Sequence, residues 1–76
     1  MREVTFALSD LEVIRDGDRF FVRYDAGAHQ VVMREDEISE ADARRIQSGK
    51  QEMVEVLHSL QQRLVACGVD PYVSNC

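Results

Sequence analysis

Asp16-Gly17 stands between two strand-like runs, Leu11-Glu12-Val13-Ile14-Arg15 and Asp18-Arg19-Phe20-Phe21-Val22-Arg23-Tyr24. Asp-Gly between two such runs is the strongest short-range hairpin signal, because the turns that match strand twist need positive φ, which glycine adopts without steric cost. A two-residue loop at Asp16-Gly17 sets Arg15 opposite Asp18, Val13 opposite Phe20 and Leu11 opposite Val22. A second loop at Asp25-Ala26-Gly27-Ala28 returns the chain through His29 to Arg34, with Tyr24 opposite His29, Val22 opposite Val31 and Phe20 opposite Met33. The two registers agree in phase. They put Leu11, Val13, Phe20, Val22, Tyr24, Val31 and Met33 on one sheet face and Glu12, Ile14, Arg19, Phe21, Arg23, Gln30, Val32 and Arg34 on the other. Alternation over residues 3–8 adds a further strand, with Ser9-Asp10 as the break.

From Ile38 onward the period changes from two to about 3.6. Ser39 is positioned as an N-cap with Asp42 three residues on, and Ile38 with Ala43 as a hydrophobic staple. Ser48-Gly49 interrupts the pattern and offers a second start, Ser48 with Gln51. This predicts a short helix over about 39–47 and a long one over about 49–67. Gly68 suits the left-handed position after the helix, with Val69 returning to Leu64, and Pro71 prevents continuation. The expected fold is α+β: a small two-layer domain with a three- or four-stranded antiparallel β-meander over about 3–8, 11–15, 19–24 and 29–34. The long C-terminal helix covers one face. Residues 1–70 form the domain and 71–76 a tail.

In the long helix Met53, Val56, Leu57, Leu60, Leu64 and Cys67 make a core stripe about 100° wide. Beside it Val54, His58, Gln61 and Val65 recur at spacings of four, three and four. Three uses compete for this second stripe: packing of the short helix through Ala41, Ala43 and Ile46, a homodimer seam, or plain exposure.

The chain has 76 residues and a net charge of −5, and residues 35–42 carry the whole excess through Glu35, Asp36, Glu37, Glu40 and Asp42. They form an acidic pole at the strand-to-helix junction. The negative balance disfavours direct contact with nucleic acid or anionic membrane, since phosphate-rich surfaces select basic proteins. Apolar runs are far too short for a membrane span, and the start lacks the apolar region of a secretory signal, so a complete, cytoplasmic protein is expected. Cys67 and Cys76 are too few for a disulfide scaffold and are expected as thiols.

Sites for chemistry are sparse. The acids Glu35, Asp36 and Glu37 lack the alternating ligands and turn glycine of a calcium loop, and His58, Cys67 and Cys76 supply three zinc ligands only with a folded-back tail. Asp25 and His29 bracket a loop without a nucleophile nearby. No glycine-rich phosphate loop or nucleophile elbow occurs, so the expectation is a non-enzyme with no catalytic residue, metal or cofactor.

The richest surface is the non-core sheet face, where Phe21, Val32 and Ile14 form an apolar centre ringed by Arg19, Arg23 and Arg34. Aromatic and arginine side chains are enriched in protein interface cores. The leading expectation is a protein–protein interaction module, acting as a homodimer or as a small subunit docking on a larger protein. In size, acidity and lack of catalytic groups the chain looks like the small inhibitors of phage and mobile elements, anti-CRISPR proteins among them. That general likeness implies the alternative: an inhibitor whose acidic pole occupies a nucleic-acid-binding surface of its target.

Overall fold

The computed structural model describes residues 2–8, 11–27, 31–71 and 73. Four strands, β1 (Arg2–Leu8), β2 (Leu11–Asp16), β3 (Arg19–Asp25) and β4 (Met33–Ile38), form one antiparallel sheet in sequence order. Two helices follow, α1 (Glu40–Ser48) and α2 (Lys50–Ala66). The fold class read from the sequence is therefore the one observed.

The β2–β3 turn sits one residue later than the sequence suggests. Gly17 and Asp18 are its centre, Gly17 has φ 65°, and Asp16 pairs with Arg19. Pairing moves by two, so Val13 faces Val22 in place of Phe20, and Ile14 faces Phe21. A shift of two preserves the faces: Val13 and Val22 are both fully buried on the core side, while Ile14 and Phe21 share the other. Glycine takes the first central position, where both hairpin turn types require positive φ.

The next connection departs further. Strand β4 runs from Met33 to Ile38, against an expected 29–34, and Tyr24 pairs with Arg34, Val22 with Asp36 and Phe20 with Ile38. The change is an odd number of residues, which inverts the strand. Arg34, Asp36 and Ile38 occupy the core side, and Met33 moves to the other. Val31 is exposed and Val32 half-buried in the connecting loop; His29 and Gln30 lie outside the described residues. The loop is longer because Asp25 organises it: its Oδ1 accepts from the backbone N–H of Gly27 and of Val32, each at 2.9 Å, while Ala26 N–H donates to Val32 O at 2.8 Å.

In β1 a bulge between Val4 and Phe6 changes the phase of the strand. Val4 lies opposite Ile14 on the outer face, whereas Phe6 lies opposite Val13 and packs on the core. The break proposed at Ser9-Asp10 falls on residues outside the description.

Ser39 caps α1, its Oγ accepting from Asp42 N–H at 3.1 Å, and Ile38 and Ala43 are both buried as the staple requires. Ser48 does not cap α2. It ends α1 with its Oγ donating to Arg45 O at 2.7 Å, and Gly49 precedes α2 without a side-chain cap. At the far end Gly68 (φ 81°) closes a Schellman motif, with Gly68 N–H on Val65 O at 3.0 Å and Val69 N–H on Leu64 O at 2.8 Å.

The core comprises Leu11, Val13, Val22, Tyr24, Ala26 and Ile38 of the sheet side with Ala43 and Ile46 of α1 and Val56 and Leu60 of α2. Met53, Leu57 and Leu64 pack against it, as does Phe20. Cys67, expected in this stripe, is exposed at the helix end, beyond the last turn that faces the sheet.

Candidate functional site

Both helices lie over the core side, so the opposite face of the sheet is open. Its centre is Ile14 on β2 beside Phe21 on β3, Ile14 being only 6% exposed and Phe21 half-buried. Two guanidinium groups lie over the Phe21 ring, Arg19 at 5.3 Å from the ring centre and Arg2 at 5.6 Å. Arginine stacks in this way because the ring face carries partial negative charge.

Each arginine is also paired. Arg19 makes two hydrogen bonds to the Glu37 carboxylate, 2.8 and 3.1 Å, and they hold Glu37 below the usual carboxylate range. Arg2 on β1 bonds Glu35 on β4, an ion pair linking the two edge strands across the central ones. Beneath it a shallow cleft of about 220 Å³ is lined by Arg2, Glu3, Val4, Ile14, Arg23 and Glu35. Arg23 is exposed and makes no side-chain hydrogen bond or ion pair among the described residues.

Of the residues assigned to this face from the sequence, Phe21, Ile14, Arg19 and Arg23 are brought together. Arg34 and Val32 are not. Val32 belongs to the loop, and the inversion of β4 carries Arg34 through the sheet to the core side. Arg2, Val4, Glu35 and Glu37 complete the surface and were missed as members. The bulge that re-aims β1 has no signature in the sequence, and the phase of β4 was read from Val31 and Met33, although Ile38 carries the opposite phase.

On the core side Arg34 and Asp36 form a buried pair, with side-chain exposures of 4% and 9%. The two lie two residues apart on one pleat face, and the guanidinium meets the carboxylate through two bonds, Nε to Oδ2 at 3.1 Å and Nη2 to Oδ1 at 3.0 Å. Tyr24 donates its OH to Asp36 Oδ2 at 2.9 Å. Burial and this bond push the Tyr24 phenol up to about 12. Arg34 Nη1 reaches the carbonyls of Asp70 and Val73 at 3.2 and 2.5 Å and so ties the segment after α2 to the sheet. Among the described residues no buried side-chain polar atom lacks a partner.

No protein-family model, curated protein or solved structure matches this chain.

The five acids of residues 35–42 do not share one surface. Glu35 and Glu37 face outward, Asp36 faces inward, and Glu40 and Asp42 begin α1. Four of them hold an arginine: Glu35 with Arg2, Asp36 with Arg34, Glu37 with Arg19, and Glu40 with Arg44 at 2.8 Å. Among the described residues no group of three or more His, Cys, Asp or Glu is placed to hold a metal ion, and Cys76 and His29 lie outside the description. Among the described residues no helix is long and apolar enough to cross a membrane.

The stripe of Val54, His58, Gln61 and Val65 does not receive α1. Val54 and Val65 are 54% and 62% exposed, and His58 is exposed with Gln62 Nε2 3.2 Å from its ring. Helix α1 packs on another side of α2, where Arg45 binds Glu52 at 2.8 Å and Glu55 at 3.1 Å. Ala41, expected in that contact, is exposed.

Proposed function

We propose that this protein is a non-enzymatic interaction module of the cytoplasm that docks on a larger protein through the outer sheet face. The observation that carries the reading is the outer sheet face left open by both helices, centred on half-buried Phe21 beside buried Ile14, with Arg2 and Arg19 stacked on the ring and Arg23 exposed beside them. Stacked, ion-paired arginines hold their shape before contact, which lowers the ordering cost of binding. Aromatic and arginine side chains at the centre of a patch are the residue types that dominate binding energy.

The acidic-inhibitor alternative needs carboxylates free to replace phosphates. Four of the five acids are already matched to arginines of the same chain, which favours the sheet face. A photo-reactive phenylalanine analogue at Arg23 and, separately, at Glu40 identifies the partner by cross-linking in host cells. The purified partner is then titrated. Phe21→Ala with Arg23→Ala is expected to weaken binding by about 100-fold or more, as for central interface residues, while Glu40→Gln with Asp42→Asn leaves it within about threefold. The reverse result installs the acidic-inhibitor reading. Asp36 is excluded from the charge variant because it is part of the buried network.

A further inference from the structure

We infer that α2 pairs with α2 of a second copy, antiparallel, along Val54, His58, Gln61 and Val65. The inference goes beyond the sheet-face reading and uses the other layer of the domain. Two of these positions are apolar and strongly exposed, and two are polar. A two-fold axis perpendicular to the helix and passing between Ser59 and Leu60 sets Val54 on Val65 of the second copy and His58 on Gln61. One axis satisfies both pairings. Spacings of four, three and four are those at which antiparallel helices place knobs into each other's holes. A parallel arrangement sets His58 on His58 and Gln61 on Gln61, losing the match of a ring nitrogen to an amide.

The surface on both sides of the stripe is prepared for such a contact. An open groove of about 490 Å³, lined by His58, Gln61, Gln62, Val65 and Pro71, lies beside Val65 where Val54 of the second copy arrives. Within the stripe itself Val54, His58, Gln61 and Val65 carry no carboxylate, lysine or arginine, and Glu55, seven residues before Gln62, borders it with its charge held by Arg45. A chain with net charge −5 repels its own copy except where its acids are turned away. The five acids that carry the excess lie on β4 and α1, and α1 occupies a different side of α2, where Arg45 grips Glu52 and Glu55. The occupant chosen by this pattern is the chain itself: the stripe complements its own reverse and carries no charge that selects another partner.

Sedimentation equilibrium on the full chain tests it. A single helix pair is a small interface, so a dimer with Kd of about 1–100 µM is expected. Val54→Asp is expected to raise Kd by about 30-fold or more while the circular dichroism melt is retained, because the side chain is exposed. A wild-type chain that stays monomeric at about 300 µM overturns the proposal, since mass action fills such a dimer at that concentration. Orientation is read in a Cys67→Ser, Cys76→Ser background by mild oxidation. Val54→Cys mixed with Val65→Cys is expected to cross-link as the mixed pair, and each alone is not. Homodimers from either single variant, or loss of dimer with Phe21→Ala and not with Val54→Asp, overturn the antiparallel seam.

Discussion

The two sides of β4 use the same residue types for opposite ends. Arg34 and Asp36 point into the core, each under 10% exposed, and bind each other, Tyr24 and the backbone beyond α2. Glu35 and Glu37 point outward and hold Arg2 and Arg19 over an aromatic ring in water. Ionic groups withdrawn from water are costly to orphan, whereas exposed ones are screened and replaceable. The pleat alone assigns each acid to one regime or the other, and neighbouring positions in Arg34-Glu35-Asp36-Glu37 alternate between them.

The largest expected effect breaks the inner set. Arg34→Met leaves the Asp36 carboxylate buried without its cation and frees the segment at Asp70 and Val73, and it is expected to cost about 3–5 kcal/mol in urea unfolding. Arg19→Met, on the outer side, is expected to leave the unfolding midpoint unchanged within error. Equal losses would abolish the distinction between the faces.

A smaller effect sharpens the same contrast with adjacent aromatics. Phe20→Ala removes a ring packed on the core and is expected to cost about 2–3 kcal/mol, while Phe21→Ala opens a site that already faces water and costs about 1 kcal/mol. Thermal melts that invert this order would show that the outer face is covered in the folded state.

The pH dependence separates the two faces by sign. Tyr24 has a folded value raised from 10.0 to about 12, so its contribution is whole below pH 10 and fades between pH 10 and 12. Tyr24→Phe is expected to remove that alkaline decline. Glu37 is lowered by Arg19, and Asp25 by the amides of Val32 and Gly27, so their contributions are whole above the ordinary carboxylate range and fade as pH falls through the lowered values. Glu37→Gln is expected to flatten the acid limb slightly, and added salt to mask the difference, while the alkaline limb of the wild type persists in salt. Chemical denaturation across pH checks both limbs.

The elements were legible where one local rule decided them. Gly17 punctuated the hairpin, Ser39 and the Ile38–Ala43 staple opened α1, and Gly68 closed α2. The register of β4 was not, because its deciding contacts are non-local. A buried Arg34 is intelligible only once Asp36, Tyr24 and the carbonyls of Asp70 and Val73 are gathered around it, and those residues span about two thirds of the chain. A segment written Arg-Glu-Asp-Glu reads as a solvated junction until one side of it is known to have partners. The candidate face was half legible for the same reason: β2 and β3 contributed Ile14, Phe21, Arg19 and Arg23 by simple alternation, while the edge strands entered with phases set by a bulge and by a loop.

The grip of Arg34 on the chain after α2 has an evolutionary corollary. Its Nη1 addresses the main-chain oxygens of Asp70 and Val73, which every residue type possesses. The path of this segment is thereby specified through its main chain, and position 73, whose side chain is exposed, can vary while the fold beneath it stays the same. Variation accumulating there, with Arg34 and Asp36 held constant, is the mark such a backbone-directed anchor leaves in a lineage.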